Sequence, residues 1–361
     1  MLFLFLIVLV AVEGFVRIYE YTSIVCPNIE SEAFADVDPF TRKQICNDHN
    51  QLEFIHPSIM LIKPDQHFST ININSHGFRG PEFNLEKPDD VYRIFVVGGS
   101  SMFGSGATSD EKTIPGFLQN EFNEIKLSKR IQVINAGIGS ATSFQETFLI
   151  KNYLRNLEPD LFIVFDGNND SHFHYFADRT LNPTVKDLEK SDNFTESLKF
   201  KNLQWYRTPF ILNKLFSDTI STPTSDNMKK IELDVLKLNI AEKWTERWTS
   251  TCNLGKKDGF SVIITLQPIL GSGNKPLSSF EKYILETDKE IPETIIVLDE
   301  LALSLKNLEH DCHNVYDLRQ IFDTTTSPVF WDNVHTNDYG NSIIAKNLFE
   351  LSTPIVINDL E

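Results

Sequence analysis

Short runs of apolar residues alternate with longer amphipathic stretches along most of the chain. Ile94 to Val97, Ile131 to Ile134, Leu161 to Phe165 and Phe260 to Leu266 are nearly continuous apolar runs rich in β-branched and aromatic residues. His313 to Asp317 is a weaker one. Runs of that length, with no alternation of polar positions, predict strands buried on both faces. Between them, apolar residues recur at helical spacing from Thr113 to Phe122, from Ser143 to Leu157 with Pro159 as a stop, and from Asp226 to Cys252. Further helix is predicted within Ser278 to Leu308, and a last helix from Asp338 to Leu351. Strand–helix alternation of this kind implies a parallel sheet with helices on both faces. Ligands then bind beyond the carboxyl ends of the strands.

The two ends of the pattern differ from its middle. Met1 to Val12 is an unbroken apolar run, shorter than the roughly 20 residues that span a bilayer and without the basic start of a secretory signal. We expect residues 1–21 to form a signal-like or membrane-anchoring helix, residues 22–88 a stalk or irregular cap, residues 89–352 the main domain and residues 353–361 a C-terminal tail. Ser171 to about Asp226 interrupts the periodicity with polar and aromatic residues, and reads as an insertion beside the binding edge. Asn193-Phe194-Thr195 within it fits a glycosylation sequon.

Composition narrows the chemistry. Fifty acidic residues against 33 basic ones give a net charge of −17, which argues against a phosphate-neutralising patch and hence against a nucleic-acid partner. The four cysteines, Cys26, Cys46, Cys252 and Cys312, form no Cys-x-x-Cys pair, so no zinc site is expected. Cys26 and Cys46 would close a loop in an oxidising compartment; four unrelated thiols are the alternative. His172-x-His174 presents its two rings poorly for a metal and has no obvious third ligand, and Glu309–His313 reads as a polar helix end before a strand, so neither a metal nor a cofactor is expected.

Four segments carry candidate chemistry. Gly98-Gly99-Ser100-Ser101 follows a predicted strand, as do Asn135-Ala136-Gly137-Ile138-Gly139-Ser140 and Asp166-Gly167-Asn168-Asn169-Asp170. Near the C-terminus, Trp331-Asp332-Asn333-Val334-His335 supplies a carboxylate and an imidazole from one short segment, which looks like the opening of a helix. A serine early and Asp-x-x-His late is a workable chain order for a nucleophile, an orienting acid and a general base. Taken singly, each has an ordinary explanation: a Gly-rich turn, Asn side chains bonding their own backbone, an Asp capping a helix.

In this order the four blocks resemble the SGNH (GDSL-type) hydrolase family, over roughly Ile71 to Leu351. The resemblance implies a three-layer α/β/α, flavodoxin-like sandwich around a parallel sheet of about five strands. It places Ser100 as nucleophile, with Ser101 as second choice, His335 as base and Asp332 as the acid that orients it. It assigns the oxyanion hole to the Ser100 N–H, the Ser140 N–H and the Asn169 amide. Two positions depart from the family pattern: Gly99 replaces the Asp of Gly-Asp-Ser, and Ser140 stands where the family has Gly, with Gly139 the fallback. A left-handed backbone would count against a serine there. The implied activity is hydrolysis of a small-molecule, glycan or lipid ester, with an O-acyltransferase or a catalytically silent glycan-binding module as alternatives. Asn74-Ser75-His76-Gly77-Phe78-Arg79 resembles a subset of extracytoplasmic members with an N-terminal anchor, which would bring membrane association; a surface charge on a turn is the ordinary reading of Arg79. Nothing in the sequence names substrate-binding residues.

Overall fold

The computed structural model describes residues 10–15, 26, 28–56, 61–172 and 233–361. At its centre is a sheet of five parallel strands: β1 (Val91–Gly98), β2 (Arg130–Gly137), β3 (Leu161–Asp166), β4 (Ser261–Leu266) and β5 (Asn314–Asp317). Their order is β2-β1-β3-β4-β5. Chain direction across the sheet reverses between β1 and β3, and this switch point opens a crevice at their carboxyl ends.

Alternation along each strand divides the core between the two faces. Phe95, Val97, Phe162 and Val164 point to one face, where Leu149 and Ile150 of α4 (Ser143–Asn152), Trp244 and Trp248 of α6 (Leu233–Asp258) and Leu298 of α8 (Ile291–Ser304) cover them. Ile94, Val96, Leu161 and Ile163 point to the other, against Leu118 and Phe122 of α3 (Ile114–Asn123) and Ile344 and Leu348 of α9 (Asp338–Leu360). The architecture is therefore the expected three-layer α/β/α sandwich, and all five strands lie where the apolar runs place them.

Elsewhere the elements differ from expectation in four places. Ser278 to Leu308 is two helices, α7 (Ser279–Thr287) and α8, because Asp288 leaves helical geometry and Pro292 restarts the chain in the first turn of α8. The final helix continues through Pro354 to Leu360, burying Ile355 and Val356, so residues 353–360 are helix rather than tail. Asp332 opens no helix: α9 starts six residues on, with Asn337 as its cap accepting from the Gly340 N–H. The supposedly irregular stalk contains α1 (Pro39–Gln51), whose cap Asp38 accepts from the Phe40 and Thr41 N–H groups.

The described residues of the 22–88 segment pack onto the sandwich, where Leu52, Ile62, Ile71 and Ile73 cluster with Phe103. A two-residue hairpin, Gln66–His67 with Asn72–Ile73, continues through Arg79 to a bridge with Asn135 of β2, which covers that edge of the sheet. Cys26 pairs with Cys46, and Cys252 with Cys312, as disulfides with Cα separations of 5.7 and 4.8 Å. The second pair joins α6 to the chain just before β5. Val10–Phe15 is helical; the rest of the apolar N-terminus, the sequon, the expected insertion from residue 173 onward and residues 227–232 lie outside the described residues. Among the described residues no helix is long and apolar enough to cross a membrane, so the expected transmembrane helix gains no support there.

Candidate active site

Ser100 stands where β1 ends and the short helix α2 (Ser100–Phe103) begins. As the first helical residue its N–H has no acceptor within the helix. Gly99 precedes it because space is short: a Cβ there would lie 2.6 Å from Asn169 Nδ2. Ser101 is turned inward, 6% exposed, which leaves Ser100 as the serine at the crevice.

The Asp332–His335 loop meets Ser100 across the crevice. His335 Nε2 lies 2.6 Å from Ser100 Oγ, and His335 Nδ1 lies 2.6 Å from Asp332 Oδ2. Asp332 Oδ1 accepts from the backbone N–H groups of Val334 (2.9 Å) and His335 (2.7 Å). Three donors thus fix one carboxylate, and that carboxylate fixes the ring. The Trp331 indole stacks on the imidazole at 5.0 Å between centroids and 14° between planes, and Phe34 of the N-terminal segment packs on Trp331 at 5.8 Å. Upstream, Glu281 Oε1 accepts from the Val329 and Phe330 N–H groups at 3.0 and 3.1 Å. Its other oxygen accepts from Lys275 and the Ser278 N–H, both at 2.9 Å. Burial of Glu281 works against its charge, but these donors outweigh it and hold the carboxyl below its ordinary range.

Asn169 follows β3 in α5 (Asn168–Ser171). Its Nδ2 donates to Ala141 O at 2.6 Å, tying it to the loop after β2; the second amide hydrogen remains for another acceptor. Asp170 completes the tie by accepting from Ser143 N (2.7 Å) and Ser143 Oγ (2.8 Å). In the joined loop, Ser140 has φ +60°, the left-handed backbone a glycine would adopt freely. Gly139 has open space where a Cβ would be.

Behind Asn169 lies a buried acidic layer. Asp166 Oδ2 accepts from the indoles of Trp244 (2.8 Å) and Trp248 (3.2 Å). Burial and the neighbouring Asp170 charge raise its pKa, against those bonds. Glu146 is fully buried and among the described residues neither carboxyl oxygen has a hydrogen-bond partner; burial, then the charges of Asp166 and Asp170, push its pKa well above normal.

Several of these residues were not anticipated. Arg79 is no surface charge: it is 3% exposed, paired with Asp110 at 2.8 Å, and donates to Thr70 O and Gly104 O at 2.7 and 2.8 Å. Its partners are scattered in sequence, so no local signal marks it. Trp331 adjoins Asp332 in the chain and was open to inspection as an aromatic neighbour of His335. His172 pairs with Glu290 at 2.6 Å, and His174 lies outside the described residues.

No family model matches the sequence, and no curated protein does. Solved structures do. One is an acetyl xylan esterase, 14% identical, covering 72% of this chain and 98% of its own at a TM-score of 0.40. A variant of an acetyl-xylooligosaccharide esterase from Geobacillus is 14% identical, covering 72% and 93% at 0.42. A protein assigned to the G-D-S-L lipolytic family from Desulfitobacterium hafniense is 11% identical, covering 72% and 98% at 0.38. The fold stated above rests on this chain's own strand order.

Proposed function

We propose that the protein is a serine ester hydrolase. The observation that carries this reading is the line Asp332 Oδ2–His335–Ser100 Oγ, with both hydrogen bonds at 2.6 Å. Ser100 Oγ attacks the ester carbonyl while His335 Nε2 takes its proton. Asp332 holds Nδ1 protonated and stabilises the imidazolium that forms. The carbonyl oxygen, now negative, is met by the Ser100 N–H, the Asn169 amide and the Ser140 N–H. Each such donor lowers the barrier by about 3–4 kcal/mol. On collapse, His335 returns the proton to the leaving alcohol and the acyl group stays on Ser100. Water, deprotonated by His335, then releases the acid and restores the hydroxyl.

Two disulfides that use all four cysteines support an oxidising compartment, so we place the protein outside the cytoplasm, with residues 1–21 as an anchor. The substrate we assign is an acyl ester of a carbohydrate, lipid or envelope polymer.

A fluorophosphonate probe tests the reading directly, because only an activated serine reacts. We expect stoichiometric labelling of the wild type at Ser100, none of Ser100→Ala, and hydrolysis of p-nitrophenyl esters that vanishes with the label. An unlabelled wild type sinks the hydrolase and leaves a silent binding module.

A further inference from the structure

His335 rests against two aromatic rings in series, and the second comes from the far end of the chain. Its nitrogens bond to Asp332 and Ser100. Hydrogen bonds to ring nitrogens run near the ring plane, so they fix the two nitrogens and leave the ring free to tilt about the line between them. The Trp331 indole removes that freedom, lying 14° from parallel with 5.0 Å between centroids. The Trp331 N–H also donates to His335 O at 3.1 Å. The indole is itself wedged. Gly106 lies so close that a Cβ there would clash with Trp331 Nε1, and Phe34 packs on the indole at 5.8 Å. Among the described residues Nε1 is buried without a hydrogen-bond partner, so packing alone sets the ring's place. A phenyl ring would fill space there without burying an unpaired donor. Phe34 ends the short turn Glu32–Phe34, and Ala33 O in that turn accepts from Asn337 Nδ2 at 2.7 Å. Asn337 caps α9, and its N–H donates to Val329 O at 2.9 Å. Arg42 of α1 holds the other side, donating to Val37 O at 2.7 Å and to Ala35 O at 3.3 Å. The Cys26–Cys46 disulfide closes the chain around this turn.

We propose that Trp331 is a positioning residue for His335, and that the N-terminal turn acts in catalysis through it; this rests on the hydrolase reading above. The chemistry needs such a support at two moments. Once Ser100 Oγ is acylated it has no proton to give, and Nε2 must serve the incoming water instead. Asp332 and the stack then hold the ring without help from the serine. Whenever Nε2 has taken a proton, the ring is a cation, and the negative face of an indole within about 6 Å attracts it. A leucine at position 331 would occupy space but offer no such face.

The measurement is steady-state hydrolysis of a p-nitrophenyl ester by the wild type, Trp331→Leu, Trp331→Phe, Phe34→Ala and the double variant Trp331→Leu/Phe34→Ala, with urea melts to establish that each is folded. His335 serves both acylation and deacylation, so kcat and kcat/KM should fall together, about tenfold in Trp331→Leu. Trp331→Phe keeps an aromatic face and should recover most of that loss. Phe34→Ala should cost about threefold in the wild type and nothing further in Trp331→Leu, because its contribution passes through the indole. A change confined to KM would make Trp331 a substrate contact and overturn the proposal. So would a Trp331→Phe variant no better than Trp331→Leu, or an equal cost of Phe34→Ala in both backgrounds. Should Trp331→Leu fail to fold, Phe34→Ala decides: equal falls in kcat and kcat/KM uphold the proposal, and unchanged values overturn it. Each of these outcomes, in a wild type that is active and labelled, bears on this inference alone. A wild type that neither cleaves the ester nor takes fluorophosphonate overturns the hydrolase reading and this inference together.

Discussion

Two glutamates flank the crevice, both wholly buried, and they are opposites. Glu281 lies beneath the loop that carries Asp332 and His335, with four donors around its two oxygens. Glu146 lies in the layer behind Asn169, with none among the described residues. Burial disfavours both charges equally in kind. Donors decide the outcome: Glu281 is held below the usual carboxyl range and stays ionised, whereas Glu146 is driven above it. The loop bearing Asp332 and His335 is thus anchored by charge. The short helix bearing Asn169 is anchored to Ala141 by the Asn169 amide and to Ser143 by the Asp170 carboxylate, 3.8 Å from Arg247, in front of a carboxyl that resists ionising.

The largest effects test whether the crevice between these two regions is the reacting centre. Ser100→Ala should abolish ester turnover and Asp332→Asn should cost about 10⁴-fold in kcat, by leaving the wrong tautomer. Ser101→Ala should retain most activity, since that side chain is buried away from the imidazole; loss of turnover in Ser101→Ala alone would move the nucleophile by one residue. On the Asn169 side, Asn169→Ala should cost about 10²–10³-fold in kcat.

Next comes the contrast itself. Glu281→Ala leaves Lys275 buried without its partner and two loop N–H groups without an acceptor, so we expect roughly 3–5 kcal/mol of lost stability in urea melts. The pH signs are opposite for the two residues. Glu281 has a depressed folded pKa, so the unfolded chain binds its proton first. Its contribution is present above the unfolded value near 4.5 and is lost as pH falls through the folded one. Glu146 has a raised folded pKa, so the folded chain holds the proton longer, and its environment costs stability as pH rises above 4.5. Glu146→Gln should therefore raise the melting temperature at pH 8, with the gain shrinking toward pH 4. A gain that grows in acid would mean that Glu146 is ionised and partnered after all.

Sequence showed the frame of this site and little of its supports. β1 and β3 were legible because their residues are apolar on both faces, and a strand buried on both faces has no polar alternation to confuse it. Ser100, Asn169, Asp332 and His335 were legible as short blocks in a familiar order. What held them was not. Glu281 acts from α7 on a loop far along the chain, Arg79 is defined by partners from three segments, and the Cys252–Cys312 pair joins elements that only the fold brings together. One miss was avoidable. Asp38-Pro39 is a cap followed by a proline in the first turn, a helix start written in adjacent residues at the head of α1.

The smallest predicted effect concerns Ser140, on the Asn169 side. A left-handed backbone costs a non-glycine residue about 1–2 kcal/mol, and glycine relieves that. Glycine also loses more freedom on folding, about 0.5–1 kcal/mol. Ser140→Gly should thus be neutral to slightly stabilising, with activity kept, because the backbone N–H stays where φ +60° aims it. Ser140→Val should lower kcat, since a β-branched residue resists that backbone and would turn the N–H away. Gly139→Ala should change little, for its Cβ would meet nothing within 4 Å. The measurement is kcat and urea stability for the three variants side by side. If Gly139→Ala is the damaging change and Ser140→Val is silent, the second oxyanion donor belongs to Gly139, and the strain at Ser140 serves only to turn the chain into α4.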